Sequence, residues 1–212
     1  MKKSIVCLMV GVMVLLMGTS VSAASLKKKA DVRIRNSKTG EVLKLKKENI
    51  KVTKWKNHVK RTKEDGDIEY EFKIDLPEKF SETKKIGGKS NVIDKTVTKK
   101  SVVVRGKFNY LTKPKGDVKI TSCSGSWKPK GAGMYMTKRL VVLYGGSGQV
   151  MKKKPSKNSF SYTTNWGYKP YVPQSSISGT GLILTATAKI SGMTAKADID
   201  VRISGGDILD NF

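Results

Sequence analysis

Hydrophobic and polar residues alternate along most of this chain, and the alternation has the period of a β-strand. The clearest run is 66–76, where Ile68, Tyr70, Phe72, Ile74 and Leu76 share one face and Asp67, Glu69, Glu71, Lys73 and Asp75 share the other. Five apolar positions at a strict spacing of two predict a half-buried strand. The same kind of patterning predicts strands over 30–36, 41–46, 49–56, 96–110, 117–123, 134–144, 159–164, 181–190 and 194–203. Ser37-Lys38-Thr39-Gly40 makes a hairpin of the first two, and Ser191-Gly192-Met193 makes one of the last two. In the strand that begins at Asn49, Ile50 and Val52 are expected to point inward. Residues 77–95 are polar, contain Gly87-Gly88 and hold no period, so they read as a loop or linker, with 24–76 before it and a main β region, 96–212, after it. Short strands, frequent turn signals and no long helical pattern predict an all-β fold of about ten strands, either an antiparallel β-sandwich or a partly open barrel. The two strand-rich regions can form one domain or two.

The first 23 residues break this pattern. Met1-Lys2-Lys3 is followed by an apolar run from Ile5 to Met17 and then by Gly18-Thr19-Ser20-Val21-Ser22-Ala23. A positive start, a short hydrophobic helix and a small-x-small exit are the parts of a secretory signal peptide, with cleavage expected after Ala23. The run is shorter than the ~20 apolar residues of a membrane-spanning helix, and no second apolar segment follows it. Cys7 lies within the apolar run and not at its exit, which does not suit a lipid attachment site. The expected product is secreted or extracellular, held at a cell surface non-covalently if at all. It has no transmembrane anchor.

Processing sharpens the composition. The mature chain keeps a single cysteine, Cys123, so it has no internal disulfide. It carries 40 Lys or Arg against 17 Asp or Glu, a net charge of +23, and the full chain has 36 lysines to 6 arginines. Arginine reads phosphate and carboxylate by a rigid two-pronged geometry, whereas lysine acts as a mobile point charge. A lysine surplus therefore points to diffuse attraction towards a polyanion, and not to specific reading of nucleic acid. Anionic envelope polymers, lipid headgroups and glycans are the partners that an exported basic protein would meet. From Val118 to Ala197 there is no Asp or Glu, although 12 Lys or Arg occur there. The same charge also keeps a protein soluble with no partner at all.

Few residues carry chemistry. Glu69 and Glu71 share a strand face about 7 Å apart at ~3.3 Å of rise per residue. Lys44, Lys46, Lys51 and Lys54 on neighbouring strands make charge pairing the expected role of that acidic face. With one histidine and one mature cysteine, a zinc site of the usual ligand types is not expected. No cofactor motif is present, and no catalytic activity is expected.

Two groupings remain. Gly116-Asp117-Val118-Lys119-Ile120-Thr121-Ser122-Cys123, followed by Lys138-Arg139-Leu140-Val141-Val142, resembles sortases, exported β-barrel transpeptidases with a cysteine at a strand end and an arginine after it. The resemblance covers about thirty residues, and Ser122 stands where that family usually has threonine. It implies His58 as acid or base, Cys123 as nucleophile and Arg139 as oxyanion stabiliser. The second grouping is aromatic. Phe160, Tyr162, Thr164 and Trp166 share one face of an extended segment, as packed strand residues do. Trp166, Tyr168, Lys169 and Tyr171 are the expected exposed ligand-binding residues, with rings to stack on sugars and a lysine for acidic groups.

Overall fold

Twelve strands follow one another in a computed structural model, which describes residues 28–36, 42–59, 65–76, 100–114, 116–172, 179–193 and 195–206. The leader 1–23, the turn 37–40 and the segment 77–95 lie outside these residues. The strands are β1 (Lys28–Asn36), β2 (Val42–Lys44), β3 (Ile50–Val59), β4 (Asp65–Asp75), β5 (Ser101–Lys113) and β6 (Asp117–Lys130). They continue as β7 (Met134–Tyr144), β8 (Val150–Lys153), β9 (Ser159–Thr163), β10 (Lys169–Pro170), β11 (Gly181–Ile190) and β12 (Ala195–Ser204). A 3-10 turn occupies Lys47–Asn49, before β3.

All pairings are antiparallel and build two sheets. The first runs β2-β1-β12-β11-β7-β8, and the second runs β10-β6-β5-β4-β3 with β9 also paired to β6. The strands of both expected hairpins pair, β1 with β2 and β11 with β12. Strands from before and after 77–95 share both sheets, since β1 lies beside β12 and β4 beside β5.

Alternation decides which side of each strand is dry. On β4, Ile68, Tyr70, Phe72 and Ile74 are buried, level with Phe108, Gly106, Val104 and Val102 of β5, and Leu76 just after the strand is buried too. On the other sheet, Leu182, Leu184, Ala186, Ala188 and Ile190 of β11 and Ala197, Ile199, Val201 and Ile203 of β12 face them. The sheets approach closely at Gly106, where an added Cβ would lie 2.5 Å from Ile203 Cδ1 and 2.9 Å from Leu184 Cδ1. Glycine there lets side chains of one sheet rest on the backbone of the other.

Val52 differs from its expected role. It stands level with Phe72, yet it is 37 % exposed, because β3 is the outermost strand of its sheet and a register shift at Thr53 follows it. Ile50, two residues earlier, does pack against the core.

Candidate polyanion-binding surface

The acidic face of β4 is neutralised within its own sheet. Glu69 is only 6 % exposed and meets Arg105 Nε at 2.9 Å, while Asp67 meets Lys107 at 3.2 Å and Asp75 meets Lys73 at 3.5 Å. Arg105 stands opposite Glu71 and Lys107 opposite Glu69, so each cation of β5 reaches diagonally to the next acid along. The hydrogen bond to Glu69 holds the Arg105 guanidinium above its ordinary pKa. Pairing was the expected role, but with different partners. Lys44 lies on β2 in the other sheet, Lys46 reaches Glu48 at 3.9 Å, and Lys51 stands opposite Lys73. Of the four expected lysines only Lys54 stands opposite an acid, Glu71, whose carboxylate accepts from Thr53 Oγ1 at 3.0 Å. The decisive cations come from β5, which the spacing along the sequence does not identify.

Among the described residues, the lysines of β8 and of the segment that follows it meet no such neutralisation. Lys152 and Lys153 of β8, then Lys154 and Lys157 of the segment crossing to β9, are all exposed, as is Lys138 of β7. Among the described residues, none of the ion pairs includes any of them. Strand order explains this. Asp198 and Asp200 on β12 are separated from β8 by β11 and β7, and the acids of β4 are separated from β9 by β5 and β6. Three strand spacings amount to ~14 Å. That exceeds the Debye length of ~8 Å at physiological salt. Asp117 does lie on β6, but at its first position, whereas β9 pairs with Ser122 to Ser126 and the crossing segment meets Trp127.

Arg139 fixes this edge. Its Nε donates to Pro155 O at 3.2 Å, its Nη1 to Asn158 Oδ1 at 3.1 Å and to Met136 O, and its Nη2 to Ser156 O. The fork therefore ties the lysine-bearing crossing segment to β7, next to a bulge where Lys138 takes a positive φ of 50°. Asn158 O accepts from Trp127 N at 2.8 Å, which anchors the same segment to the second sheet.

The sortase-like trio does not come together. Cys123 lies on the inner face of β6 and is 1 % exposed. Burial raises its thiol from 9.0 to about 12, the reverse of what a nucleophile needs. Position 58 on β3 is level with Asp67, Asn109 and, through them, Ser122, so its backbone is three strands or ~14 Å from Cys123. The Arg139 guanidinium is committed to four oxygens of its own loop and strand. Cys123 is a core residue by position, and Arg139 is a structural tie.

That thiol makes a test. An unfolded chain releases the proton near 9.0, whereas the folded chain holds it until about 12. The folded state thus binds more protons between these values, and the stability this gives is intact below pH 9 and lost as pH rises to 12. The slope approaches about 1.4 kcal/mol per pH unit. Denaturation midpoints of the wild type should fall across this window relative to those of Cys123→Ala. Equal pH profiles for the two proteins would refute a buried neutral thiol.

The aromatic segment is docked along an edge and does not stand out as a platform. Thr164 N donates to Thr121 O at 2.9 Å, Lys169 pairs with Val118, and Tyr171 N donates to Gly116 O at 3.1 Å. Gln149 Nε2 reaches Gly167 O at 2.9 Å from the β7–β8 turn, so the segment also spans the two sheets. Trp166 lies against Gly145, where a Cβ would come within 2.8 Å of its ring, and both Trp166 and Tyr171 pack on the core. The expectation that these rings are exposed is corrected by that packing. Lys169 is exposed, and the half-buried Tyr168 ring carries Lys113 Nζ at 4.4 Å and Lys119 Nζ at 6.0 Å from its centroid. Two ammonium groups over one ring form a small cationic spot that sequence spacing does not reveal.

The fold class is thus an antiparallel all-β protein of two facing sheets. Comparison with known protein families, curated proteins and solved structures gives no match for this chain.

Proposed function

We propose that this is a secreted, non-catalytic basic protein that associates electrostatically with an anionic surface at or outside the cell envelope, through the lysine edge formed by β8 and the segment crossing to β9. The observation that carries this reading is charge segregation. Among the described residues Lys152, Lys153, Lys154 and Lys157 make the densest run of exposed lysines outside the ion pairs, with further exposed lysines such as Lys113, Lys128, Lys130 and Lys169 elsewhere, while the acids of β4 are matched by Arg105 and Lys107. A charge that served only solubility would gain nothing from being sorted in this way. Arg139 and Asn158 hold the edge in one shape, which lowers the cost of ordering it against an extended polymer. The leader sequence supplies the compartment, and the placement of Cys123 in the core favours a binding role over a catalytic one.

Lysine acetylation in the presence of long-chain polyphosphate tests the location. Lys152, Lys153, Lys154 and Lys157 should be protected several-fold, while Lys73, beside Asp75, should not. Uniform protection of all lysines, or protection of none, would remove the edge as the binding site.

A further inference from the structure

The outer face of the first sheet, next to the lysine edge, carries a group of apolar residues among its polar ones. Val142 stands between Lys152 on β8 and Ile183 on β11, Tyr144 stands opposite Val150, and Leu140 stands opposite Thr185. These positions alternate with the buried Val141, Leu143, Leu182 and Leu184, so they face away from the core. Val150 is 54 % exposed, and Leu140, Val142, Tyr144 and Ile183 are half-buried, each keeping part of its surface open. A contiguous patch of this kind marks a contact surface more often than scattered exposed residues do.

The surroundings of the patch say what it contacts. Lys152 lies on the same face, and the exposed Lys154 and Lys138 lie beside it on the β7–β8 side. On the far side Asp200 is paired with Arg202 at 3.2 Å, and Asp198 accepts from Thr187 Oγ1 at 2.7 Å. A second copy of this chain would bring like-charged rims together. A soluble polyanion would be satisfied by the lysines and would leave the apolar centre wet. An apolar patch with a lysine rim and a tyrosine at its end suits the boundary between headgroups and acyl chains of an anionic bilayer.

We infer that the outer face of β8, β7 and β11 seats the protein on an anionic lipid surface, with Val142, Val150, Leu140, Ile183 and Tyr144 entering the headgroup layer and the edge lysines meeting lipid phosphates. The inference rests on the electrostatic reading above and narrows its partner from any polyanion to a bilayer.

The test compares the wild type with Val142→Thr/Val150→Thr, and with Val150→Thr alone in case the double variant folds poorly. Threonine keeps the shape and strand preference of valine while removing apolar surface. The ligands are vesicles of phosphatidylcholine with about one third phosphatidylglycerol, vesicles of phosphatidylcholine alone, and polyphosphate. The wild type should bind the anionic vesicles, and part of that binding should survive 0.5 M salt. The double variant should bind them roughly tenfold more weakly and the single variant roughly threefold more weakly, with polyphosphate affinity unchanged. Equal vesicle affinity in wild type and variants overturns the inference, as does complete loss of wild-type vesicle binding at 0.5 M salt. Either result with polyphosphate binding intact leaves the electrostatic reading standing. A wild-type dimer that dissociates in the variants assigns the face to self-association and also overturns it. Wild type that binds neither vesicles nor polyphosphate at low salt ends both readings.

Discussion

Trp127→Ala should cost about 4 kcal/mol of folding stability, the upper range for truncating a buried aromatic residue. Trp127 is among the largest fully buried side chains, on the inner face of β6 opposite Val104. Its indole meets the Phe160 ring at a centroid distance of 5.4 Å and an angle of 42°, and Phe160 stacks in turn on Tyr162 at 5.6 Å. Removal of the indole leaves a cavity under β9, the strand reached from the lysine edge. A domain of this kind holds about 5–15 kcal/mol in total, so the loss should appear as a large fall in the urea midpoint. Among the described residues the indole Nε1 finds no hydrogen-bond partner. Trp127→Phe should therefore lose much less, about 1–2 kcal/mol, because it keeps most of the ring and discards an unpaired polar group. Equal losses for the two variants would contradict this packing.

The opposite perturbation acts two residues away. Gly125→Ala should cost about 3 kcal/mol by overpacking, even though alanine stiffens the unfolded chain. A Cβ on Gly125 would lie 2.7 Å from Phe160 Cζ and closer still to the carbonyl oxygen of Arg105. The ring could turn, but the carbonyl belongs to the backbone of β5, which pairs with β6 through Gly106 and Gly125. Relief therefore requires the two strands to part. Thermal unfolding provides the measurement, and a melting temperature equal to or above that of the wild type would contradict the close approach at Gly125.

These two residues also show what the sequence does and does not reveal. Where one face of a strand is wholly buried, alternation is enough. Both β7 and β11 occupy their expected residues, and the five expected apolar side chains from Ile68 to Leu76 are all buried. Alternation weakens where the ladder is short or at an edge. β8 and β10 have four and two residues, too few to display a period, and both were missed. β6 continues seven residues beyond its expected end at Cys123, through Gly125 and Pro129, residues that usually interrupt strands. Gly125 is tolerated there because Phe160 fills the space of its missing side chain.

The proposed binding surface is half legible in the sequence. The absence of acids from 118 to 197 can be read directly from the chain, but the consequence depends on strand order. Only that order places β12 and β4 three strands from the lysine edge. Arg139 looked like a catalytic candidate because strand spacing cannot show that its acceptors are Pro155, Ser156 and Asn158. The aromatic cluster looked like a platform because one-dimensional spacing does not show β6 and the β7–β8 turn lying beneath it.

The most direct measurement is the salt dependence of polyphosphate binding by the mature protein, run beside Lys152→Gln/Lys153→Gln/Lys154→Gln/Lys157→Gln. Each lysine that meets the polymer releases condensed counterions. With Lys138 included, five contacts predict a log–log slope of roughly −3 to −4 for the wild type, by analogy with single-stranded polyanions. The fourfold variant should keep a slope near −1 and bind roughly a hundredfold more weakly at low salt. A slope shared by both proteins, or wild-type binding that salt does not weaken, would contradict the lysine edge as the means of association.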